Sequence, residues 1–269
     1  MKIAKSFDEF QKHRDALDGK IGFVPTMGAL HEGHLSLVRL ARQNADAVIA
    51  SIFVNPTQFA PHEDFDTYPR DIEGDLAALE QEGVSLVYLP SEGDIYPDGP
   101  SVTIKAGKAN EGLDSEFRPH FFHGVATVVH RLFEQVRPDV AVFGEKDFQQ
   151  RQVIQEMVAA QGMATQVLGG PIARDEHGLA LSSRNAYLSD DELGIARMLN
   201  QILYKAAQDI ADGANGDTAC AEAQSALLTC GFDKVDYVTH KPEWNRLLAA
   251  GWVGKTRLID NCAIKKADH

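Results

Sequence analysis

The amino-acid sequence predicts an α/β protein: a parallel sheet flanked by helices, followed by a small C-terminal α+β unit. Two observations support this prediction. Over residues 1–174, short apolar runs alternate with longer segments of helical periodicity, which is the pattern of right-handed βαβ units. Over residues 175–269, two helical patterns precede two short strand patterns. We therefore expect two touching domains, 1–174 and 175–269, with ligands at the carboxyl ends of the parallel strands.

The first domain is predicted from alternating strand and helix patterns. Its strand patterns are "IGFVP" (21–25), "AVIASIFV" (47–54), "VSLVYLP" (84–90), "SVTIKAG", "DVAVFG" (139–144) and "TQVLGGP". Its helix patterns run from about Leu30 to Asn44, near 71–82, over "GVATVVHRLFEQV", and over "DFQQRQVIQEMVAAQG" to Gly162. Apolar residues recur at helical spacing in the helical segments.

The second domain is predicted to contain two helices and two strands. The segment "SDDELGIARMLNQILYKAAQDIADG" has the pattern of one long helix, with Ser189 as its N-cap and Gly213 as its stop. A second helix is expected over "DTACAEAQSALLTCG", and strands over "KVDYVTH" and "TRLIDNCAI".

Composition and charge exclude several classes of function. The formal net charge is −13, from 39 acidic against 26 basic residues, so a nucleic acid would be repelled. No run of about 18 apolar residues predicts a membrane span. The three cysteines, Cys220, Cys230 and Cys262, are few and odd in number, which is typical of a reducing compartment. We therefore expect a cytoplasmic protein that binds neither nucleic acid nor membrane.

The segment "FVPTMGALHEGHLSL" (23–37) carries His31 and His34, and three interpretations of this pair are open. The zinc-protease helix needs histidines four residues apart, whereas these are three apart with Gly33 between them. Zinc would need further histidines from elsewhere in the chain. The second interpretation is a helix start that happens to carry two histidines. The third is a phosphate site, because the segment follows a buried strand and opens a helix, where backbone N–H groups and the helix dipole favour an anion.

Further features favour the phosphate interpretation. Gly28 and Gly33 allow the backbone to approach a ligand closely, and His31 and His34 can each donate a hydrogen bond to phosphate. The glycine patterns of dinucleotide-binding folds and of P-loops are absent. A histidine pair at the first strand-to-helix turn is instead typical of nucleotidyltransferases that transfer adenylyl groups.

Three more polar clusters lie at strand ends or at the domain boundary. "SIFVNPTQF" ends a strand with Asn55 and Gln58, whose amides suit a substrate rich in hydroxyl and carboxylate groups. "FGEKDFQQ" brings Lys146 for phosphate charge, Asp147 for ribose hydroxyls and Gln150 one turn into a helix. "LSSRN" adds two hydroxyls and a guanidinium fork suited to phosphate. Taken singly, each cluster is also compatible with an ordinary turn or a polar loop.

Six segments follow one another in this order: "PTMGALHEGHLSL", "FVNPTQF", "DFDTYPR", "HGVATVVHRLF", "PDVAVFGEKDFQQ" and "LALSSRNAYLS". In their order and spacing they closely resemble the pantoate–β-alanine ligase family. The resemblance covers most of residues 21–190. It implies a Rossmann-like ATP-binding domain, a small C-terminal domain acting as a lid, and a homodimer. It also implies the reaction: ATP, (R)-pantoate and β-alanine give pantothenate, AMP and diphosphate. A simple nucleotidyltransferase and a non-catalytic nucleotide sensor remain as alternatives.

The resemblance also implies roles for individual residues. His34 would be the proton donor, and His31, Lys146 and Arg184 would share the catalytic work. Gln58 and Gln150 would hold pantoate, and Gln58 would also border β-alanine. Asn55 is a weaker pantoate candidate, and Asp75 would lie near Mg²⁺. Tyr68 is a further weak candidate, to which no ligand is assigned. The expected ATP-binding residues are Met27, Gly28, Ala29, Leu30, His31, Glu32, Gly33, His34, Gly144, Glu145, Lys146, Asp147, Ala173, Leu181, Ser182, Ser183 and Arg184.

One segment departs from the family pattern. The family usually has Arg-Pro-Gly-His-Phe, where this chain has "RPHFF". Phe121 therefore replaces the expected histidine, and His120 stands one position earlier. If that histidine contacts substrate, the contact is lost or His120 supplies it after a local shift of the loop.

Overall fold

The protein folds as two compact units, Met1–Pro171 and a second unit that begins at Ile172. The structure is a computed structural model that describes residues 1–60, 63 and 65–265. None of the described helices is both long and apolar enough to cross a bilayer.

The first unit contains a six-stranded sheet in which every pairing is parallel. Its strands are β1 (Lys2–Ala4), β2 (Ile21–Thr26), β3 (Ala47–Ile52), β4 (Leu86–Tyr88), β5 (Val140–Gly144) and β6 (Gln166–Gly170), in the spatial order β1-β4-β3-β2-β5-β6. The helices of this unit are α1 (Phe7–Arg14), α2 (Glu32–Asn44), α3 (Ile72–Gln81), α4 (Glu92–Ile95), α5 (Asp114–Phe117), α6 (Phe121–Val136) and α7 (Phe148–Ala160). The predicted α/β fold class is confirmed.

The order of the strands fixes where a ligand can bind. From β2 the chain proceeds through β3 and β4 on one side, and β5 and β6 lie on the other. The direction of strand order therefore reverses between β2 and β5, which pair directly through Gly22 and Phe23. In open parallel sheets the crevice outside such a reversal is the usual binding position. The turns that follow β2 and β5 carry the histidine pair and Lys146.

The buried strands explain why the apolar runs predicted the sheet well. All six residues of β3 are buried, and β2 exposes only Pro25 in part. Strands covered on both faces have continuous apolar sequences, unlike strands with one solvated face. The core on one face of this sheet includes Val24, Val38 and Val87.

The second unit differs from its prediction in two respects. Its helices are α8 (Asp190–Ala196), α9 (Met198–Ala211) and α10 (Gly216–Thr229), and its strands β7 (Lys234–Lys241), β8 (Arg246–Val253) and β9 (Thr256–Ala263) form an antiparallel sheet in that order. The predicted single helix is divided into α8 and α9 at Arg197, whose backbone stays in the right-handed helical region (φ −63°, ψ −22°) and whose side chain donates to Asp175 at 3.1 Å. Ser189 does cap α8, as predicted.

The sequence prediction missed the central strand β8 of this sheet. Its segment, "RLLAAGWV", is almost entirely buried and contains Ala and Gly, which have low strand propensity. Burial of the strand removes the alternation of apolar and polar residues that reveals a half-exposed strand.

The predicted strand "SVTIKAG" is a loop in the structure. Its β-branched residues favour a strand, but its backbone amides bond to side chains of α6 instead of to a neighbouring strand. The amides of Thr103 and Ile104 donate to the Thr127 hydroxyl at 3.2 and 3.1 Å, and that of Ala106 donates to His123 Nδ1 at 2.9 Å. Side chains distant in sequence therefore overrode the local propensity.

Candidate active site

The turn that leaves β2 has a backbone conformation rare for side-chain-bearing residues. Gly28 has φ of +86° and Ala29 has φ of +51°, both in the left-handed region. A Cβ atom on Gly28 would lie 3.0 Å from the Asp75 carboxylate, so this position needs glycine. A left-handed alanine costs roughly 1–2 kcal/mol. Compensating contacts must therefore hold the turn.

Asp75 of α3 provides those contacts. Its two carboxylate oxygens accept the backbone N–H groups of Ala29 at 2.9 Å and Leu30 at 2.7 Å. The residue is 3% exposed. Burial raises the pKa of this carboxyl, while the two amide bonds act in the opposite direction. The structure thus gives Asp75 a role in holding the turn after β2. The expectation that it lies near Mg²⁺ stays a prediction.

The two histidines cap the helix that follows the turn. His31 is the N-cap of α2, and its Nδ1 accepts the backbone N–H of Gly33 at 3.1 Å. The Nδ1 of His34 accepts the backbone N–H of His31 at 3.3 Å. Because both Nδ1 atoms accept, each ring carries its proton on Nε2. The helix start and the phosphate grip are therefore compatible: one ring nitrogen caps and the other is a donor.

Both rings are neutral at physiological pH. Burial, with the charge of Lys146, lowers the pKa of His31 to about 4. Burial, with His31 and Lys146, lowers the pKa of His34 to about 3. The ring centroids are 4.2 Å apart. The pair therefore offers hydrogen-bond donors, and the positive charge that acts on it comes from Lys146 in the turn after β5.

The turn after β5 brings the third predicted cluster to the same place. Glu145–Asp147 form a short 3₁₀ turn, and α7 begins directly after it. The charges of Lys146 and Asp147 both act on the pKa of His31, in opposite directions, so the two turns adjoin. Gln150 lies in the first turn of α7 and is partly buried. Glu145, by contrast, faces Gly169 of β6 and lies 4.0 Å from Arg151.

Glu32 is the first residue of α2. Its side chain is exposed and pairs with Arg39, whose hydrogen bond lowers the pKa of the Glu32 carboxyl. The first turn of α2 therefore contributes to the site through its histidines and backbone.

Gln58, in the turn after β3, contacts Met27 in the turn after β2. The Gln58 amide nitrogen lies 3.0 Å from the sulfur of Met27, and its oxygen accepts from the Asn55 amide at 3.1 Å. Asn55 is 1% exposed, and the described residues use both its amide oxygen and its amide nitrogen. Asn55 is thus hydrogen-bonded to Gln58 and to the groups around it. The expectation that it contacts pantoate stays a prediction.

The segment "LSSRN" has a defined conformation within the second unit. Ser182 caps the 3₁₀ turn Ser183–Tyr187, its hydroxyl accepting the backbone N–H of Arg184 at 3.3 Å. The N–H of Leu181 donates to the carbonyl of Ala173 at 2.9 Å, which makes these two positions neighbours.

Comparison with known proteins decides the family. The family model described as pantoate-beta-alanine ligase matches residues 2–263. This chain belongs to the pantoate–β-alanine ligase family. The family resemblance and the ligase function predicted from the sequence motifs are thereby confirmed.

Relatives of known sequence and structure agree with this membership. A pantothenate synthetase of Mesorhizobium japonicum is 50% identical over 94% of this chain and 93% of its own length. The crystal structure of pantothenate synthetase from Thermus thermophilus is 40% identical, covers 98% of this chain and 99% of its own, and has a TM-score of 0.91. A pantoate-beta-alanine ligase from Francisella tularensis, complexed with beta-gamma ATP and beta-alanine, is 38% identical over 98% of each chain with a TM-score of 0.87.

The departure from the ligase family pattern at Phe121 has a structural counterpart. The Arg118 guanidinium stacks 3.8 Å from the centre of the Phe121 ring and pairs with Glu63 at 2.7 Å. Arg118 also reaches the backbone carbonyl of Gln58 at 3.4 Å. His120 is exposed. Phe121 therefore supports an arginine that reaches the predicted pantoate residue, a cation–π contact in place of the usual histidine.

The sequence did not reveal several residues that shape the candidate site. Gly124 of α6 is one: a Cβ there would lie 2.4 Å from the Thr57 carbonyl oxygen. The signal was an isolated glycine inside an otherwise apolar helical pattern, which indicates close backbone approach. Tyr96, whose hydroxyl donates to Asn55, was not singled out either. It directly follows α4, in a segment whose sequence has no helical or strand periodicity. Tyr68, a weaker candidate, is 6% exposed, and its ring and that of Phe59 form a T-shaped pair with centroids 6.0 Å apart.

Proposed function

We propose that this chain condenses (R)-pantoate with β-alanine at the expense of ATP, through a pantoyl-adenylate intermediate. One observation carries this proposal: the turns after β2, β3 and β5 bring Lys146, two neutral histidines and Gln58 to one edge of the sheet. A cation and uncharged donors suit a polyphosphate, and the Gln58 amide suits the pantoate carboxylate or hydroxyls. Family membership and the relative complexed with beta-gamma ATP and beta-alanine support the same assignment.

In the first step, a pantoate carboxylate oxygen attacks the α-phosphorus of ATP. The bond from that phosphorus to the bridging oxygen breaks, and diphosphate leaves with the electron pair. An anion approaches a polyanion here, so positive charge and donors fixed in place lower the barrier. We assign this work to Lys146, to the Nε2–H groups of His31 and His34, and to Arg184.

The protonation state of the histidines defines the role of His34. With a pKa of about 3, the ring is neutral and donates a hydrogen bond from Nε2 without adding charge. The proton-donor role expected from the family is therefore proposed as hydrogen-bond donation to phosphate oxygens. No proton needs to leave the ring, because diphosphate departs as an anion.

In the second step, the neutral amine of β-alanine attacks the acyl carbon of pantoyl adenylate. The acyl–phosphate bond breaks, AMP leaves, and the nitrogen loses a proton to solvent. Water would compete as a nucleophile, so the site gains from closure. We propose residues 175–269 as the lid, with Leu181, Ser182, Ser183 and Arg184 meeting the phosphates and Ala173 the adenine, and 1–174 as the binding domain.

We propose that Mg²⁺ enters as part of the ATP substrate. Among residues 1–60, 63 and 65–265, no three His, Cys, Asp or Glu side chains form a group that could hold a metal ion. The Asp75 carboxylate is committed to two backbone amides. The donors of these described residues thus do not form a Mg²⁺ cage, whereas phosphate oxygens bind this ion well. We assign no chemical step to protein-bound Mg²⁺.

We propose the remaining residue roles because the family resemblance implies them. Gln58 and Gln150 hold pantoate, and Gln58 also borders β-alanine. Backbone groups of Met27, Gly28, Ala29, Leu30, Gly33 and Gly144 line the nucleotide with Asp147, and Glu32 and Glu145 flank it. We further propose a cytoplasmic homodimer, on the basis of the free cysteines and the family resemblance.

A product assay tests the proposed function. Purified protein supplied with ATP, Mg²⁺, (R)-pantoate and β-alanine should release one AMP for each pantothenate formed. Omission of pantoate or of β-alanine should abolish pantothenate formation. An adenylylated product that accumulates at the same rate with and without β-alanine would instead identify a simple nucleotidyltransferase.

A further inference from the structure

The Gln58 amide can face a substrate in two ways, and the choice decides which substrate groups it can bind. With its nitrogen outward it donates to carboxylate or hydroxyl oxygens, and with its oxygen outward it repels a carboxylate. The two orientations have nearly the same shape, so packing alone does not select one. The hydrogen bonds behind Gln58 must make the selection.

Asn55 is held in one orientation by backbone groups whose polarity is fixed. The backbone N–H of Thr57 can only donate, and it meets Asn55 Oδ1 at 3.3 Å. The carbonyl of Gly124 can only accept, and it meets Asn55 Nδ2 at 3.4 Å. Asn55 Nδ2 is therefore the atom that faces Gln58, and at 3.1 Å it requires the Gln58 oxygen. The Gln58 nitrogen consequently points away from Asn55, towards the sulfur of Met27.

Tyr96 adds the shortest hydrogen bond to this arrangement. Its hydroxyl donates to Asn55 Oδ1 at 2.7 Å and lies 3.2 Å from the Thr57 hydroxyl. The residue is 2% exposed, so its hydroxyl does not contact substrate. Its ring lies 5.3 Å from the Arg131 guanidinium, which donates to the carbonyl of Ile95 at 3.1 Å. The hydroxyl is thus delivered to Asn55 from a fixed ring.

We propose that Tyr96 is a positioning residue for the pantoate subsite: through Asn55 it holds Gln58 with its amide nitrogen facing the substrate. The inference rests on the proposed function, which places pantoate on Gln58. It names pantoate oxygens, carboxylate or hydroxyl, as the groups that Gln58 meets. Tyr96 has no part in binding ATP, so its loss should affect the two substrates unequally.

The variant Tyr96→Phe tests this inference because it removes the hydroxyl and keeps the ring. We expect the KM for pantoate to rise about tenfold, the KM for ATP to change less than about twofold, and Tm to stay within a few degrees. Tyr88→Phe is the matched control, since Tyr88 is also fully buried and its hydroxyl has no hydrogen-bond partner among the described residues. Tyr88→Phe should leave both KM values unchanged.

Asn55→Asp is a second variant that keeps the shape of the network. Its carboxylate replaces the Nδ2 donor, so Gln58 must turn its nitrogen inward and present its oxygen to pantoate. The KM for pantoate should then rise more than in Tyr96→Phe, about 100-fold, again with little change for ATP. In a Gln58→Ala background, Tyr96→Phe should have no further effect on this KM.

The outcomes separate this inference from the proposed function. If Tyr96→Phe lowers Tm but leaves the pantoate KM unchanged, or raises both KM values equally, the tyrosine is only structural and the inference is overturned. An unchanged pantoate KM in Gln58→Ala would overturn it as well, by removing Gln58 from the subsite. Failure of the proposed function is distinct: wild-type protein would then form no pantothenate at all.

Discussion

The imidazole Nδ1 of His34 accepts the backbone N–H of His31 at 3.3 Å. This contact makes the histidine pair part of the helix start and fixes which ring nitrogen faces outward. A residue that is predicted to bind phosphate is thus also part of the N-terminus of α2.

The first prediction concerns protonation. Nitrogen NMR should show both rings with the proton on Nε2 at pH 7, and no titration of either ring between pH 5 and 8, because their pKa values are lowered to about 4 and about 3. Between pH 6.5 and 4 the unfolded chain binds protons that the native rings do not. Stability should therefore fall as pH decreases through this range. A ring that titrates near pH 6.5 would contradict the assignment.

The second prediction concerns turnover. His34→Ala should lower kcat by about 10²–10³, the scale for loss of a donor that stabilises a transition state. Steady-state kinetics on the folded variant would measure the change, with circular dichroism to verify folding. His13→Ala, on α1, is the matched control and should retain normal kcat. Near-normal kcat in folded His34→Ala would exclude the proposed role.

The third prediction separates turn positioning from metal binding at Asp75. Asp75→Asn turns an N–H donor towards Ala29 or Leu30, and an unsatisfied buried donor costs about 1–3 kcal/mol of stability. The KM for ATP should rise about tenfold even at saturating Mg²⁺. Asp71→Asn is the control, because asparagine caps α3 as well as aspartate does. A variant that is restored fully by added Mg²⁺ would favour the metal role instead.

The fourth prediction concerns the close approach of α6 to the Gln58 turn. Gly124→Ala would place a methyl group 2.4 Å from the Thr57 carbonyl and so displace the turn Pro56–Gln58. We expect a loss of about 1–3 kcal/mol in the free energy of unfolding and a higher KM for pantoate. Gly194→Ala, where a Cβ meets nothing within 4 Å, provides the control in chemical denaturation. Equal stability of the two variants would show that α6 can move aside.

The sequence predicted the parallel sheet because its strands are continuous apolar runs. It also predicted that the histidine pair lies where a strand is followed by a helix, because that position depends on local patterns alone. It did not predict that the helical segment is divided at Arg197, since Ala196 and Leu199 are both buried and the apolar periodicity continues across the division. Asn55, Asp75 and Tyr96 were missed as supporting residues. Their roles depend on partners up to 69 positions away, which no spacing reveals.

The measurement that most directly tests the account is pantoate-dependent exchange of labelled diphosphate into ATP in the absence of β-alanine. Exchange requires reversible formation of pantoyl adenylate at the site assembled from the turns after β2, β3 and β5. We predict exchange that depends on pantoate, followed by stoichiometric AMP release when β-alanine is added. Folded protein that forms no labelled ATP with pantoate present would contradict the account.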